Sequence, residues 1–397
     1  MAQAPPKPSP QLKAFLDCQN CFAGFLRTEL PFVNFVRDRT EAEVHVLITV
    51  AETGAGGREY TVAFIGSGPF QGVDHTLRAV TSRSDTEDVI RRQLATSLRI
   101  GLLNYVARQG VPQQLDVAVR LGSEEQRPAV AGDRWNNWVF SIRGSGSFEG
   151  EESQKERQLG ASISADRITP DWKITIGSEL DHETEEFDLD EEDPVKVERR
   201  ERDFQTLIVK ALGEHWSAGA EAEIESSTFE NTKLAIGVAP AIEYNVFPYS
   251  AYTRRQLRAL YAVGIRGVRY YEPTLFGRIQ ETRPLHALSL TFEQRERWGT
   301  LEARTQWSQY LHDLDKSRLE VDAEVAVRLL KGLSVSAEVN ASRIRDQLFL
   351  PARGATPEEI LLRLRQLQSG YEYRVSLSVT YSFGSIFSSI VNPRFGQ

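Results

Sequence analysis

The chain has 397 residues, a formal net charge of −8, 26% charged residues and a mean hydropathy of −0.37. A pI near 5.5 argues against a nucleic-acid partner, and no run approaches the length of about eighteen apolar residues that a transmembrane helix needs. A transmembrane β-barrel stays open, because its strands hide their hydrophobicity in alternation.

Residues 1–14 are Pro-rich and polar and read as a flexible leader. The start, MAQAPPKPSPQ, has no charged segment followed by an apolar run, so no export signal is visible. It resembles the processed end of an exported chain to which Met1 does not belong, and a natural precursor is expected to carry the signal. Residues 15–130 read as a periplasmic α/β domain with a linker, in the order α-β-β-β-α. Phe22–Glu29 is a short helix candidate; Phe32–Val36, Val44–Val50 and Glu59–Ile65 are strands, and Gly54 to Gly57 turns the second into the third. That glycine run lacks the Lys-Ser/Thr and the following helix of a phosphate loop, so a hairpin turn is the reading. Asp85 is expected to cap a long helix whose stripe is Ile90, Leu94, Leu98, Gly101, Leu102 and Tyr105. Val117–Leu121, within the linker, could add a strand to this domain.

From residue 135 to 385 the pattern changes to repeated period-two alternation. About twelve strands are expected, the first at Asn137–Phe148 and the last at Tyr371–Phe383. The last sets Tyr371, Tyr373, Val375, Leu377, Val379, Tyr381 and Phe383 on one face and Glu372, Arg374 and four hydroxyl residues on the other. Arg318–Leu329 alternates as cleanly. The fourth candidate, Asp203–Leu212, is less regular, with Leu207 and Val209 read as outward and Lys210 as inward. Even-to-odd connections are mostly tight, whereas His182–Arg202, Glu272–Pro284 and Asp346–Gly370 are long, the asymmetry of an outer-membrane barrel. Together these features predict a mainly β fold: a twelve-stranded antiparallel transmembrane barrel, first strand paired with last, behind a small α/β domain. A soluble barrel alternates too, but it would put its apolar face inside. Residues 386–397 would be a periplasmic tail.

The barrel's inward face is expected to carry both signs of charge: Arg143, Lys210, Glu221, Glu223, Arg258, Arg295, Glu302, Arg304, Glu320, Asp322, Glu324, Arg328, Glu338 and Arg374. These rows could leave a narrow polar passage or knit an ion-pair network that plugs it, and periodicity does not decide. Cys18 and Cys21 form C-x-x-C; Phe22 follows where haem attachment needs His, and no second pair completes a zinc site. A structural disulfide is favoured over a redox role. Of the barrel's histidines, Asp181-His182 and His312-Asp313 are neighbours in sequence, but adjacent strand residues face opposite ways, so neither forms a dyad by itself. His215 falls in a periplasmic turn, and His286 on the outward face near the rim. The acidic stretch Asp188–Asp193 lacks calcium-loop spacing and reads as a solvated loop.

Tyr381-Ser382-Phe383 resembles the aromatic-ended signal by which outer-membrane proteins are recognised for assembly, although fourteen residues follow it here. The segments FLRTELPFVNFVRDR, GAGGREYTVAFIG and FGSIFSSIVNPRFG are similar to an uncharacterised group of Gram-negative barrel proteins in which a short periplasmic module with a Cys pair precedes the barrel. That resemblance implies location and architecture rather than an activity. The expectation is an outer-membrane protein with both termini in the periplasm, contacting lipid, the barrel-assembly machinery and a periplasmic protein, without cofactor or catalysis. A transport or export channel leads, a non-conducting anchor for an envelope assembly is second, and an outer-membrane hydrolase is last.

Overall fold

The computed structural model describes residues 11–18, 21–54, 56–109, 133–187, 195–352 and 369–384. The strand candidate Val117–Leu121, the acid run 188–193 and the tail 386–397 lie outside the described residues.

The N-terminal domain contains β1 (Leu12–Asp17), α1 (Ala23–Glu29), β2 (Val33–Phe35), β3 (Val44–Glu52), β4 (Arg58–Gly66), β5 (His75–Thr81) and α2 (Glu87–Arg108). Its sheet order is β2-β1-β3-β4-β5, with β1 parallel to both neighbours and the rest antiparallel. The expected α-β-β-β-α layout therefore lacked two strands. The leader ends before Leu12, because Leu12 and Ala14 are buried in register with Val33 and Val44. Cys18 and Cys21 are joined in a disulfide just after β1.

One face of this sheet packs on the helices. Ala14, Val46, Tyr60, Val62 and Phe64 meet Leu26, Leu94, Leu98, Leu102 and Tyr105 in a single core. Gly101 is required where α2 crosses Phe64, since a Cβ there would lie 2.0 Å from the ring. The α2 cap is Thr86, whose hydroxyl accepts from the Val89 N–H at 3.4 Å; Asp85 instead accepts from the Ser82 N–H. Both residues sit where a cap could form, and the hydroxyl holds the extended backbone that an N-cap needs.

Residues Val44 to Thr49 of β3 are buried without alternation. A strand covered on one side only would alternate, so a second layer covers the other face. That layer is the larger sheet.

The larger sheet comprises β6 (Trp138–Gly150), β7 (Gln154–Ile168), β8 (Trp172–Phe187), β9 (Val195–Ala211), β10 (Trp216–Ser227), β11 (Thr232–Asn245), β12 (Arg255–Tyr270), β13 (Gln280–Glu296), β14 (Gly299–Tyr310), β15 (Asp313–Leu330), β16 (Leu333–Ile344) and β17 (Tyr371–Tyr381). All twelve strands pair with their sequence neighbours in antiparallel order. The strand count matches expectation; the closure does not. β6 and β17 form the two edges and are not hydrogen-bonded to each other, and every residue of β17 is exposed.

The loop asymmetry is also milder than expected. β8 and β9 run on through His182–Phe187 and Val195–Arg202, held in register by Arg199 on Glu183 at 3.3 Å. Likewise β13 begins at Gln280, and the β14–β15 connection is only residues 311–312. Charged residues that suggest loop continue the alternation and pair across strands, so the strands outrun the apolar band. The connection from β16 to β17, residues 345–370, remains long.

Candidate functional site

Cross-strand register divides the larger sheet into two chemically distinct faces. One carries Phe140, Ile163, Ile208, Ile236, Ile265, Leu290 and Leu377, each exposed. At its short-turn end stand Trp138, Trp172, Trp216, Tyr244 and Tyr381, with Trp216 against Tyr244 and Tyr381 stacked on Phe383. The opposite face carries the charges expected inside, from Arg143 on β6 through Glu221, Glu223, Arg258, Arg295, Glu302, Arg304, Glu320, Asp322, Glu324, Arg328 and Glu338 to Arg374 on β17.

Lys210 is the exception. It pairs with Trp172 and Ala218, which puts it on the apolar face at the aromatic rim, its ammonium 5.4 Å from the Trp172 ring centroid. Leu207 and Val209 occupy the polar face instead, opposite Glu221 and Gly219. With apolar residues on both faces of β9, alternation alone could not orient it. A lysine at an aromatic rim lays its methylenes along apolar surface and lifts its charge clear.

On the polar face the ion pairs run along the wall. Arg295 meets Glu302 at 2.9 Å, Arg258 meets Glu243 at 3.5 Å, and Arg318 meets Asp346 at 3.0 Å, each from an adjoining segment. Arg266 reaches over β11 to Glu223 at 3.4 Å and Glu225 at 2.5 Å. Gly237 lets them meet, because a Cβ there would lie 2.7 Å from the Glu223 carboxylate. One row is unbalanced. Glu293, Glu302, Glu324 and Glu338 stand directly opposite one another across β13 to β16. Like charges so placed repel, and Arg295 is the cation that offsets two of them.

The N-terminal domain lies across the short-turn end of this face. Asp17, at the end of β1, accepts from both terminal nitrogens of Arg328 at 2.7 and 2.6 Å, the bidentate geometry of a strong charge-assisted pair. The same Asp17 carboxylate is hydrogen-bonded to Nε2 of the fully buried His45 at 2.9 Å, and Arg328 stacks over Phe15. Burial would raise the Asp17 carboxyl, but the hydrogen bonds from His45 and Arg328 outweigh it and hold the group below the usual carboxylate range. Asp38 is held low in the same way: burial opposes, and Thr40 with the Gly332 N–H prevails.

Further contacts spread along the rim. Lys331 pairs with Glu41, Arg297 donates to Ser67, Arg83 donates to Ser141, and Arg37 donates to the Phe383 carbonyl at 2.8 Å. Gly54 abuts Ile168 at the β7–β8 turn so closely that a Cβ would lie 2.5 Å from the Ile168 Cβ. The domain therefore touches the larger sheet at β6, at three of its short turns and beyond the end of β17. Between the two layers is a cavity of about 570 Å³, walled by β3 and β4 on one side and β13 to β17 on the other. Asp17, His45 and Thr49 escaped the sequence reading. The alternation of Leu12, Ala14 and Leu16 against Lys13, Phe15 and Asp17 was a readable sign of β1, but nothing local signals a partner 311 residues away.

The histidines of the larger sheet form no ion pair among the described residues. His182 meets Thr184, His215 meets the Asn245 carbonyl, His286 lies between Tyr261 and Gln309 on the apolar face, and His312 lies beside Tyr310.

No protein-family model matches the chain, and no curated protein does. Among solved structures it is similar to the β domain of the Bordetella autotransporter BrkA, at 15% identity over 62% of this chain and 98% of that one, with a TM-score of 0.21. At that score the two do not superpose as one arrangement, so the likeness bears on neither location nor activity.

Proposed function

We propose that the chain is an outer-membrane β-barrel whose N-terminal domain lies in the periplasm and gates a polar passage. The observation that carries this reading is the division of one twelve-stranded sheet into an exposed apolar face with an aromatic rim and an opposite face of wall-bound ion pairs. An apolar face that size is costly in water and suits lipid, with the charged face turned inward. Lipid also demands that edge N–H and C=O groups be paired, so β6 and β17 join when the protein inserts. The Tyr381–Phe383 end serves as the assembly signal, lipid and the barrel-assembly machinery are the partners, and the outer side of the N-terminal domain is free for a periplasmic protein. The histidine placements favour a non-enzymatic role.

The passage reading draws support from ion pairs that follow the wall, with at most one strand between the partners, instead of crossing it. The gate reading draws on the Asp17–Arg328 clamp at the mouth. Planar-bilayer recording tests both. The native protein is expected to conduct weakly, and Arg328→Gln to conduct more often or more strongly. Silence in both proteins would favour a non-conducting anchor, the second reading, which the several rim contacts would also serve.

A further inference from the structure

We propose that the cavity between the N-terminal domain and the larger sheet is a binding site for a small hydroxylated organic anion. This rests on the gated-passage reading only for its purpose, since the cavity exists wherever the two layers are docked. Its volume, about 570 Å³, falls in the range of small-molecule sites.

The walls have a specific chemistry. Thr300, Ser336, Ser378 and Thr380 present hydroxyls from the larger sheet. Their charged neighbours are already satisfied: Arg328 by Asp17, Arg295 by Glu302, and Glu296 by Arg254 at 3.0 Å. Arg58, from the start of β4, also lines the cavity, and its guanidinium has no ion pair among the described residues. It supplies the one uncompensated charge in the lining, and that charge is positive. On the neighbouring strand of the same wall, Thr49 lines the cavity while 7% exposed, and its hydroxyl makes no hydrogen bond among the described residues. A buried hydroxyl left without a partner is uncommon and costly, so its position facing a polar cavity points to a ligand that satisfies it.

A guanidinium recognises a carboxylate or a phosphate in a bidentate manner, and a row of hydroxyls recognises other hydroxyls. A sugar acid combines both. Neutral polyols lack the group for Arg58, and simple carboxylates lack the groups for the hydroxyl row.

The test is calorimetric titration of the full chain in detergent with gluconate, sorbitol, acetate and glycerol 3-phosphate. Saturable gluconate binding is expected, with sorbitol and acetate each weaker by about tenfold or more. Glycerol 3-phosphate matching gluconate would extend the site to phosphates; its failing to bind would restrict it to carboxylates, and both outcomes keep the hydroxylated anion. Arg58→Gln should weaken gluconate by about tenfold, and Thr49→Val by a few-fold, with unchanged thermal unfolding. Gluconate that does not saturate, or that binds Arg58→Gln as well as the native chain, would overturn the proposal. Because binding is read without conductance, a silent bilayer would sink the passage and leave the site standing.

Discussion

Asp17 and Arg328 make the bidentate contact between the layers of this protein, and its chemistry contributes to the response to acid. The Asp17 carboxyl is depressed in the folded chain by His45 and Arg328, so its contribution is fully present above the unfolded carboxylate value near 3.9 and is lost as pH falls through the lower folded value. Protection of the β1 amides, taken as exchange relative to the intrinsic rate at each pH, should therefore be flat from neutral pH to about 4 and fall below it, and Asp17→Asn should remove that step. A step that persists in Asp17→Asn would assign it elsewhere. With side chains 15% and 32% exposed, the Asp17–Arg328 pair should show a coupling of roughly 1–2 kcal/mol in a double-mutant cycle on domain detachment. Deeper in the domain, Gly101→Ala would drive a methyl into the Phe64 ring and should cost about 1–3 kcal/mol in thermal unfolding.

At the scale of strands, what could be read from sequence depended on whether alternation was uncontested. β10 between Ala220 and Glu225 and β15 between Arg318 and Val325 set apolar against charged residues, and their faces were readable. β9 was not, because Leu207 and Val209 line the polar face beside Glu221, and only the register with β8 and β10 turns Lys210 outward. β1 was hidden by the prolines before it and by partners, Val33 and Val44, that lie far along the chain. The capping face of β3 was unreadable for a related reason: its buried His45 and Thr49 look like outward polar positions until the larger sheet is placed over them. Substitution distinguishes the two faces directly. Val238→Arg, on the apolar face, should cost about 2–4 kcal/mol of stability in bilayers, whereas Lys210→Ala at the rim should cost under about 1 kcal/mol. Equal effects would remove the distinction between band and rim. The opposed Glu293, Glu302, Glu324 and Glu338 should make any conductance cation-selective, and reversal-potential measurements on Glu324→Gln should show the preference reduced.

For the whole molecule, the composition looked soluble while the fold exposes an apolar face over twelve strands, and both follow from alternation. Polar and small residues alternate with apolar ones along the strands, so mean hydropathy stays at −0.37 although the outward positions present an exposed apolar surface. The central claim is that this surface meets lipid and the opposite one meets water. Spin labels at Ile142, Leu377, Ser145 and Ser376 in the liposome-reconstituted protein test it most directly, by relaxation with oxygen, which concentrates in lipid, and with a water-soluble nickel chelate. The account predicts oxygen-dominated relaxation at Ile142 and Leu377, and nickel-dominated relaxation at Ser145 and Ser376. Equal nickel access at all four positions would contradict it.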